Sequence, residues 1–507
     1  MRLEFQSKPN WPPLAWVARI RRRSNQVEVL HGVQVERADA WFCEATWDGD
    51  FAAGDFDRTD IVSGSGGRCR DDKIVFVSSG STVDRLQWLE RDDEVLISNT
   101  LPGLLRVASE ELDPTYPHYM HDLFSVVKGL GRYVSSLPAT NGPVQLCYFD
   151  NIEWDGTTCR RVAKPFADRR FHDFDGFHEF LRASIHAIAD NMRDSQRAHR
   201  YEFIGSLSTG YDSTTITALA SEAGLREVIC FMREEQRDRG NELAHYFGVE
   251  PIEVDINAWR QEPLGEVPFV AGDCFGEEAQ YAVLRERLAG KVYLSGYHGD
   301  KIWDIANDYP GDDIRRGDPS GTALTEFRLH AGFLHCAVPF FAVRAATSIL
   351  AISQAEAMRL WDVGGGYSRP ICRRIVENAG LPRDAFGVVK SFASRWMIVE
   401  PDLVSEESRQ ELRTWIDERR PRWTAAGRRP PLVGPAFEVG LYRLANVLRM
   451  GLNSLPGTYR LGLHKLPVSG HILNLGVLMP HQPPPVFGAS RYVFPWAVER
   501  VAQSYAD

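Results

Sequence analysis

Tyr201-Glu202-Phe203-Ile204-Gly205, then Ser208-Thr209-Gly210-Tyr211-Asp212-Ser213, then Thr214 through Ala223 is the stretch that decides the fold. The first run reads as a short strand and the last as a helix, with a turn of small hydroxyl residues and glycine between them. A strand, a tight turn and a helix in that order form the unit from which parallel sheets are built. At such a turn the first N–H groups of the helix lack intrahelical partners and carry the positive end of the helix dipole. Ser208, Thr209, Gly210 and Ser213 are therefore suited to wrap a phosphate. Asp212 would repel a phosphate directly and is suited instead to a Mg²⁺ that bridges phosphates.

Working outward, the alternation continues. Val228 to Phe231, Pro251 to Val254 and Val292 to Leu294 read as strands, with helices at Asn241 to Phe247 and Gln280 to Leu288 between them. A doubly wound α/β sheet fits this order. On the N-terminal side, Phe177, Phe180, Leu181, Ile185 and Ile188 fall on one helical face, with Asp175 as a candidate cap. Before that helix, from about 13 to 110, short apolar runs such as Ile74 to Val77 and Val95 to Ser98 are separated by turns at Asp48-Gly49-Asp50 and Gly64 to Gly67. That texture predicts a β-rich domain. The expected division is 1–165 and 170–507, with the second part mostly helical after 320. Leu412, Trp415 and Ile416 form one apolar face there, and Leu441, Leu444, Ala445 and Leu448 another. The proline run 483–485 reads as a surface loop.

A second turn carries chemistry: Leu294-Ser295-Gly296-Tyr297-His298-Gly299-Asp300 closes another predicted strand of the same sheet. Ligands of open α/β sheets bind at the carboxyl ends of the strands, so the two turns can meet over one site and bring Asp212 and Asp300 to one metal.

Together these stretches resemble the nucleotide-binding domain of asparagine synthetases. The first turn is similar to the SGGxDS pyrophosphate loop of the N-type ATP pyrophosphatases (PP-loop enzymes), with Thr209 in place of a glycine. The second resembles the SGxGxDE segment, with Asp300 matching the metal-binding aspartate, His298 replacing the second glycine and Lys301 the glutamate. The resemblance implies bound ATP and Mg²⁺, nucleotide contacts from Ser208, Thr209, Gly210, Asp212, Ser213, Ser295 and Gly296, and metal ligation by Asp212 and Asp300.

At position 297 asparagine synthetases carry glutamate, whereas the β-lactam synthetases carry a tyrosine that works with a glutamate to deprotonate an amine. The resemblance to the latter implies a catalytic Tyr297, with Glu326 nominated as its carboxylate, and a catalytic Lys390 in Phe386-Gly387-Val388-Val389-Lys390 after Leu381-Pro382. A free tyrosine ionises near pH 10, so such a base needs neighbours that tune it. A fixed lysine stabilises the charge developing on an acyl-adenylate and departing pyrophosphate.

The β-rich part, at Leu86-Gln87-Trp88 and Val95 to Asn99, is similar to the N-terminal-nucleophile glutaminase domain of asparagine synthetases. That domain works through a cysteine at position 2. Here position 2 is Arg2 and the first cysteine is Cys43, which predicts an inactive glutaminase half. The β-lactam synthetases and lasso-peptide macrolactam cyclases similarly lack it and take an amine from the substrate. The expected reaction joins a small-molecule or peptide carboxylate to an amine other than glutamine-derived ammonia, within one molecule as a lactam or between two.

Composition narrows the field. A formal charge of −10 without a long acidic block disfavours nucleic acid as a partner. The eight cysteines include no CxxC pair, which disfavours zinc and disulfide frameworks. No apolar run approaches the roughly 20 residues of a membrane helix, so a cytoplasmic location is expected. Homo-oligomerisation is left open. Two other readings remain: a nucleotide-binding pseudoenzyme serving as a scaffold, and a PP-loop enzyme that modifies tRNA through the same adenylating turn, which would need reactive cysteines near the site; Cys230 and Cys274 fall within the domain but form no cluster.

Overall fold

The computed structural model describes residues 1–507 except 23, 115, 166, 233–238, 308–309, 366, 388–404, 426–490 and 507. The N-terminal part is built from two stacked sheets. The first has seven strands in the order Arg2–Ser7, Gln26–His31, Trp16–Arg21, Glu94–Ser98, Arg85–Glu90, Val144–Tyr148, Ser136–Leu137. The second has six, in the order Cys159–Val162, Asn151–Trp154, Lys73–Val77, Val62–Arg70, Trp41–Trp47, Glu36–Ala38. Side chains alternate across a strand, and Trp16–Arg21 shows the consequence. Trp16, Ala18 and Ile20 fill the space between the sheets against Phe42, Phe76 and Trp154, while Val17 faces the opposite core with Leu96 and Leu104.

The helix at the start of the second part runs Phe174–Arg193 and is capped by Asp173, whose carboxylate accepts from the Gly176 N–H at 2.8 Å. Asp175, the expected cap, instead lies in the first turn and pairs with Arg374. Five parallel strands follow, in the order Glu250–Asp255, Glu227–Met232, Glu202–Ser206, Lys291–Ser295, Leu334–Ala337. The strand that comes first in the chain is central. The next two are added on one side and the last two on the other, so the direction of winding reverses between Glu202–Ser206 and Lys291–Ser295. The molecule is thus mixed α/β, with a β-rich N-terminal region and a parallel sheet carrying helices.

Two elements depart from expectation. Ala279–Leu284 is a 3₁₀ helix, continued by a single α turn at Arg285–Leu288, in place of one α-helix. Leu334–Ala337 is a strand within the region expected to be helical, because its four buried residues complete the sheet edge beside Lys291–Ser295. A buried tetrapeptide carries no periodicity that separates strand from helix. The face on Leu412, Trp415 and Ile416 does belong to a helix, Glu406–Ala425. The predicted face on Leu441 to Leu448 and the proline run 483–485 lie outside the described residues.

The division near 165–170 does not separate the cores, because one apolar cluster includes both Leu104 and Leu123 and Ile204, Phe327 and Trp496. At the centre of the junction Arg328, 1% exposed, donates to Glu44 at 2.6 and 3.1 Å and to Asp84 at 3.1 Å. Among the described residues no helix is long and apolar enough to cross a membrane.

Candidate functional site

The helix Tyr211–Glu222 starts at the carboxyl end of the central strand Glu202–Ser206, with Gly210 as its N-cap and no side chain capping it. Its first turn is ordered from within the loop. The Ser208 N–H donates to Ser213 Oγ at 3.0 Å, the two serine hydroxyls lie 2.7 Å apart, and the Gly210 N–H donates to Ser208 Oγ at 3.2 Å. Tyr211 is buried behind this turn: Arg373 donates to its hydroxyl at 2.7 Å and Phe386 packs edge-on to its ring. The Gly387 N–H donates to Thr209 O at 2.8 Å, which docks the segment after Leu381 onto the Ser208–Ser213 turn. That segment is a series of turns after Leu381, with no helix at Leu381-Pro382. Lys390 itself lies outside the described residues.

The second turn leaves the adjacent strand Lys291–Ser295 and packs directly on the first. A Cβ at Gly296 would lie 2.5 Å from Asp212 Cβ, and one at Gly299 would strike the Asp212 carboxylate. Only glycine permits that approach. Asp300, the next residue, is second in the turn Gly299–Ile302, with its carboxylate 3.8 Å from Lys301 Nζ. His298, which stands where the resemblance expects glycine, takes a left-handed conformation, φ 76°, and stacks on Phe340. That backbone is unfavourable for a side-chain-bearing residue by about 1–2 kcal/mol. Gly296→Ala is expected to cost about 1–3 kcal/mol of stability by overpacking against Asp212. Urea titration of the variant beside the parent checks it.

Asp212 and Asp300 are each about one-third exposed, 32% and 29%. Asp212 forms an ion pair with Arg369, a side chain only 2% exposed that also lies 3.9 Å from Asp304. Burial opposes the charge of the Arg369 guanidinium, and the Asp212 carboxylate holds it charged nonetheless. This arginine sits just before the helix Pro370–Asn378, and no pattern in the sequence singles it out. Among the described residues no group of three or more His, Cys, Asp or Glu could hold a metal. Two carboxylates at neighbouring turns would hold Mg²⁺ only with phosphate oxygens and water completing its shell, which is the usual habit of that ion.

Tyr297 projects from the second turn into a cluster absent from the sequence argument. In it the Tyr281 hydroxyl lies 2.5 Å from that of Tyr293. The His335 ring stands edge-on to Tyr297 at 5.6 Å, and its Nε2 lies 2.8 Å from Ser295 Oγ. The carboxylates acting on Tyr297 are Glu278 and Glu277, both buried. Burial first, then Tyr281 and Glu278, push the Tyr297 phenol well above its ordinary value. This is opposite to the tuning a standing phenolate base requires.

Glu326 is placed elsewhere. It is buried on the helix Leu324–Ala331, accepting from Tyr505 at 2.5 Å and from Thr100 at 3.2 Å, with His330 at 3.3 Å. There it ties the C-terminal segment to the N-terminal part, and the described contacts do not join it to Tyr297. Glu277 and Glu278 precede Tyr297 in the chain, whereas the carboxylate expected from the sequence, Glu326, lies downstream of it.

Burial holds His298 at about 3 and His335 at about 4. Both stay neutral while the unfolded chain protonates near 6.5, so their contribution is complete above pH 6.5 and is lost as pH falls toward those folded values. Each is expected to cost about 2–3 kcal/mol between pH 6.5 and 4.5. Comparing His335→Gln with the parent by urea unfolding at both pH values isolates one such contribution, and an equal acid loss in the two proteins would refute it.

No family model matches the chain, and no curated protein matches it.

Proposed function

We propose that the protein is an ATP-dependent, amide-forming ligase related to the asparagine and β-lactam synthetases, acting on a carboxylate and an amine. One observation carries this reading: the Ser208–Ser213 and Ser295–Asp300 turns leave adjacent parallel strands at the winding reversal, and Gly299 packs on Asp212. Crevices at such reversals are where open α/β sheets bind ligands.

In this reading the open N-terminus of helix Tyr211–Glu222 and the hydroxyls of Ser208, Thr209 and Ser213 hold the phosphates, with Ser295 and Gly296 walling the crevice. Asp212 and Asp300 would hold Mg²⁺, which supplies charge neutralisation and phosphate orientation. Arg369 then faces the same anionic group, since phosphates compete with Asp212 for its guanidinium. The substrate carboxylate attacks the α-phosphorus, pyrophosphate leaves, and the acyl-adenylate forms. An amine attacks the acyl carbon, AMP departs with the bonding electrons, and the nitrogen loses its proton on the side of Tyr297. Lys390 is the cation assigned to the developing charge. Holding both reactants in one crevice supplies acceleration by positioning alone.

Supporting an amine other than glutamine-derived ammonia, Cys43 is fully buried with its thiol pushed up to about 12. The two cysteines a tRNA-modifying reading would use, Cys230 and Cys274, are both buried. The scaffold reading draws on the Arg369–Asp212 contact, which occupies a metal-type carboxylate.

Incubation with Mg²⁺-ATP and pools of amino acids, N-acyl amino acids and short peptides decides among these. The ligase reading expects AMP and pyrophosphate in equal amounts, dependent on a carboxylate. ADP as the nucleotide product, or ATP binding with no pyrophosphate release across the pools, overturns it.

A further inference from the structure

The Arg369 guanidinium lies between the two turns. Its side chain is 2% exposed, and one terminal nitrogen donates to Asp212 Oδ1, in the first turn of the helix Tyr211–Glu222. Its Nε is buried and, among the described residues, has no hydrogen-bond partner, since Asp304 Oδ2, just past the second turn, stands at 3.9 Å. The guanidinium carbon is 5.5 Å from the centre of the Tyr367 ring, whose hydroxyl accepts from the Tyr211 N–H at 3.5 Å. A guanidinium presents five N–H donors in a planar fork, a shape that fits two oxygens of one phosphate. Here the fork is engaged by a single carboxylate oxygen, beside the open N-terminus of a helix of 12 residues.

We propose that Arg369 is both a diphosphate-binding residue and a latch on Asp212: without phosphate it holds the carboxylate, and an arriving diphosphate draws it away, so that Mg²⁺ joins Asp212 only with phosphate in place. The proposal rests on the reading of the Ser208–Ser213 turn as the phosphate site of a nucleotide.

Charge sets the order of events. A diphosphate brings several negative charges and several oxygens to the fork, so it competes for the guanidinium against one carboxylate oxygen. The uncapped N–H groups of the helix attract the same anion. Asp212, relieved of Arg369, then faces phosphate, and two anions at close range call for a divalent cation between them. Before phosphate arrives the guanidinium repels such a cation from Asp212, like charge against like. The backbone on either side of Arg369 is tied. Ser368 O accepts from the Ile305 N–H at 3.3 Å, and the helix Pro370–Asn378 packs on the helix Tyr211–Glu222. The movement required is therefore a rotation of the side chain, not of the segment.

Two binding measurements on the full-length protein, each with one ligand alone, read the latch. Calorimetry follows inorganic pyrophosphate without a divalent cation, and electron paramagnetic resonance follows Mn²⁺ without phosphate. Arg369→Met is expected to weaken pyrophosphate about tenfold and to tighten Mn²⁺ about tenfold relative to the parent. Opposite shifts are the signature, because a side chain that only supports the fold would move both affinities the same way or neither. Thermal midpoints check folding, and Arg369→Gln, which removes the charge and keeps a polar head, is read in the same way should the methionine variant not fold. Equal Mn²⁺ binding in parent and variant, including none in either, overturns the latch, and equal pyrophosphate binding overturns the phosphate role. If the parent takes up neither pyrophosphate nor ATP, with Mg²⁺ or without it, the nucleotide reading of the turn fails and the ligase reading with it. If the parent binds both and the variant matches it in every affinity, the proposal for Arg369 alone fails.

Discussion

Replacing Asp212 by alanine is expected to reduce carboxylate-dependent pyrophosphate release by at least about 10³-fold, equivalent to about 4 kcal/mol of transition-state stabilisation. The same change has a second effect that a metal ligand alone would not have. Asp212 is the close partner of Arg369, which is 2% exposed and, among the described residues, has Asp304 at 3.9 Å as its further carboxylate. Removing one member of a buried pair leaves the other charge uncompensated, at a cost of about 3–5 kcal/mol. The water-facing side of Asp212, which is 32% exposed, and the presence of Asp304 place the expected loss at the lower end. Adding Arg369→Met to Asp212→Ala removes the stranded charge and is expected to recover most of the stability without recovering turnover. Urea unfolding and pyrophosphate release on the single and double variants separate the two effects. Parent-level pyrophosphate release from Asp212→Ala would end the metal assignment.

Glu44→Ala is expected to be the most damaging change outside the site, at about 3–5 kcal/mol. Glu44 is fully buried on the strand Trp41–Trp47 and accepts from both Arg328 terminal nitrogens, from Ser65 at 2.6 Å and from Asn99 at 3.2 Å. Burial pushes its carboxyl upward, and Arg328 opposes that shift. Truncation leaves a guanidinium at the junction of the two parts with Asp84 alone, strands two further donors and opens a cavity. Glu44→Gln keeps the volume and the acceptor and is expected to lose less. Denaturant midpoints of both variants check the order, and a loss under about 1 kcal/mol for Glu44→Ala would show that the network is structurally dispensable.

The two turns were legible because their chemistry is local. Ser208 to Ser213 needs only its own strand and helix to become a strand-to-helix turn, and the small residues, the glycine and the aspartate stand next to one another in the chain. Gly296 and Gly299 were legible as a turn, but their purpose was not: they admit the side chain of Asp212, more than eighty positions away. The described contacts of Glu326 are with Thr100, His330 and Tyr505. Separation along the chain ranks candidates on one element, whereas the groups around Tyr297 come from a 3₁₀ turn before it, a strand after it and the loop at Gly321. Arg369 and His335 carry no motif, so nothing in their neighbours distinguishes them from an ordinary helix start or a buried strand residue.

Alternation of short apolar runs with turns and helices determined by itself that the chain is α/β, with a β-rich first part and a parallel sheet after it, since periodicity and turn chemistry act between near neighbours. Only the tertiary structure decided which carboxylates surround Tyr297, which cation meets Asp212 and how Glu44 and Arg328 fasten the two parts. Those pairings depend on strand order and on burial, which make a charge seek whichever partner the packed core brings within reach, however distant in sequence.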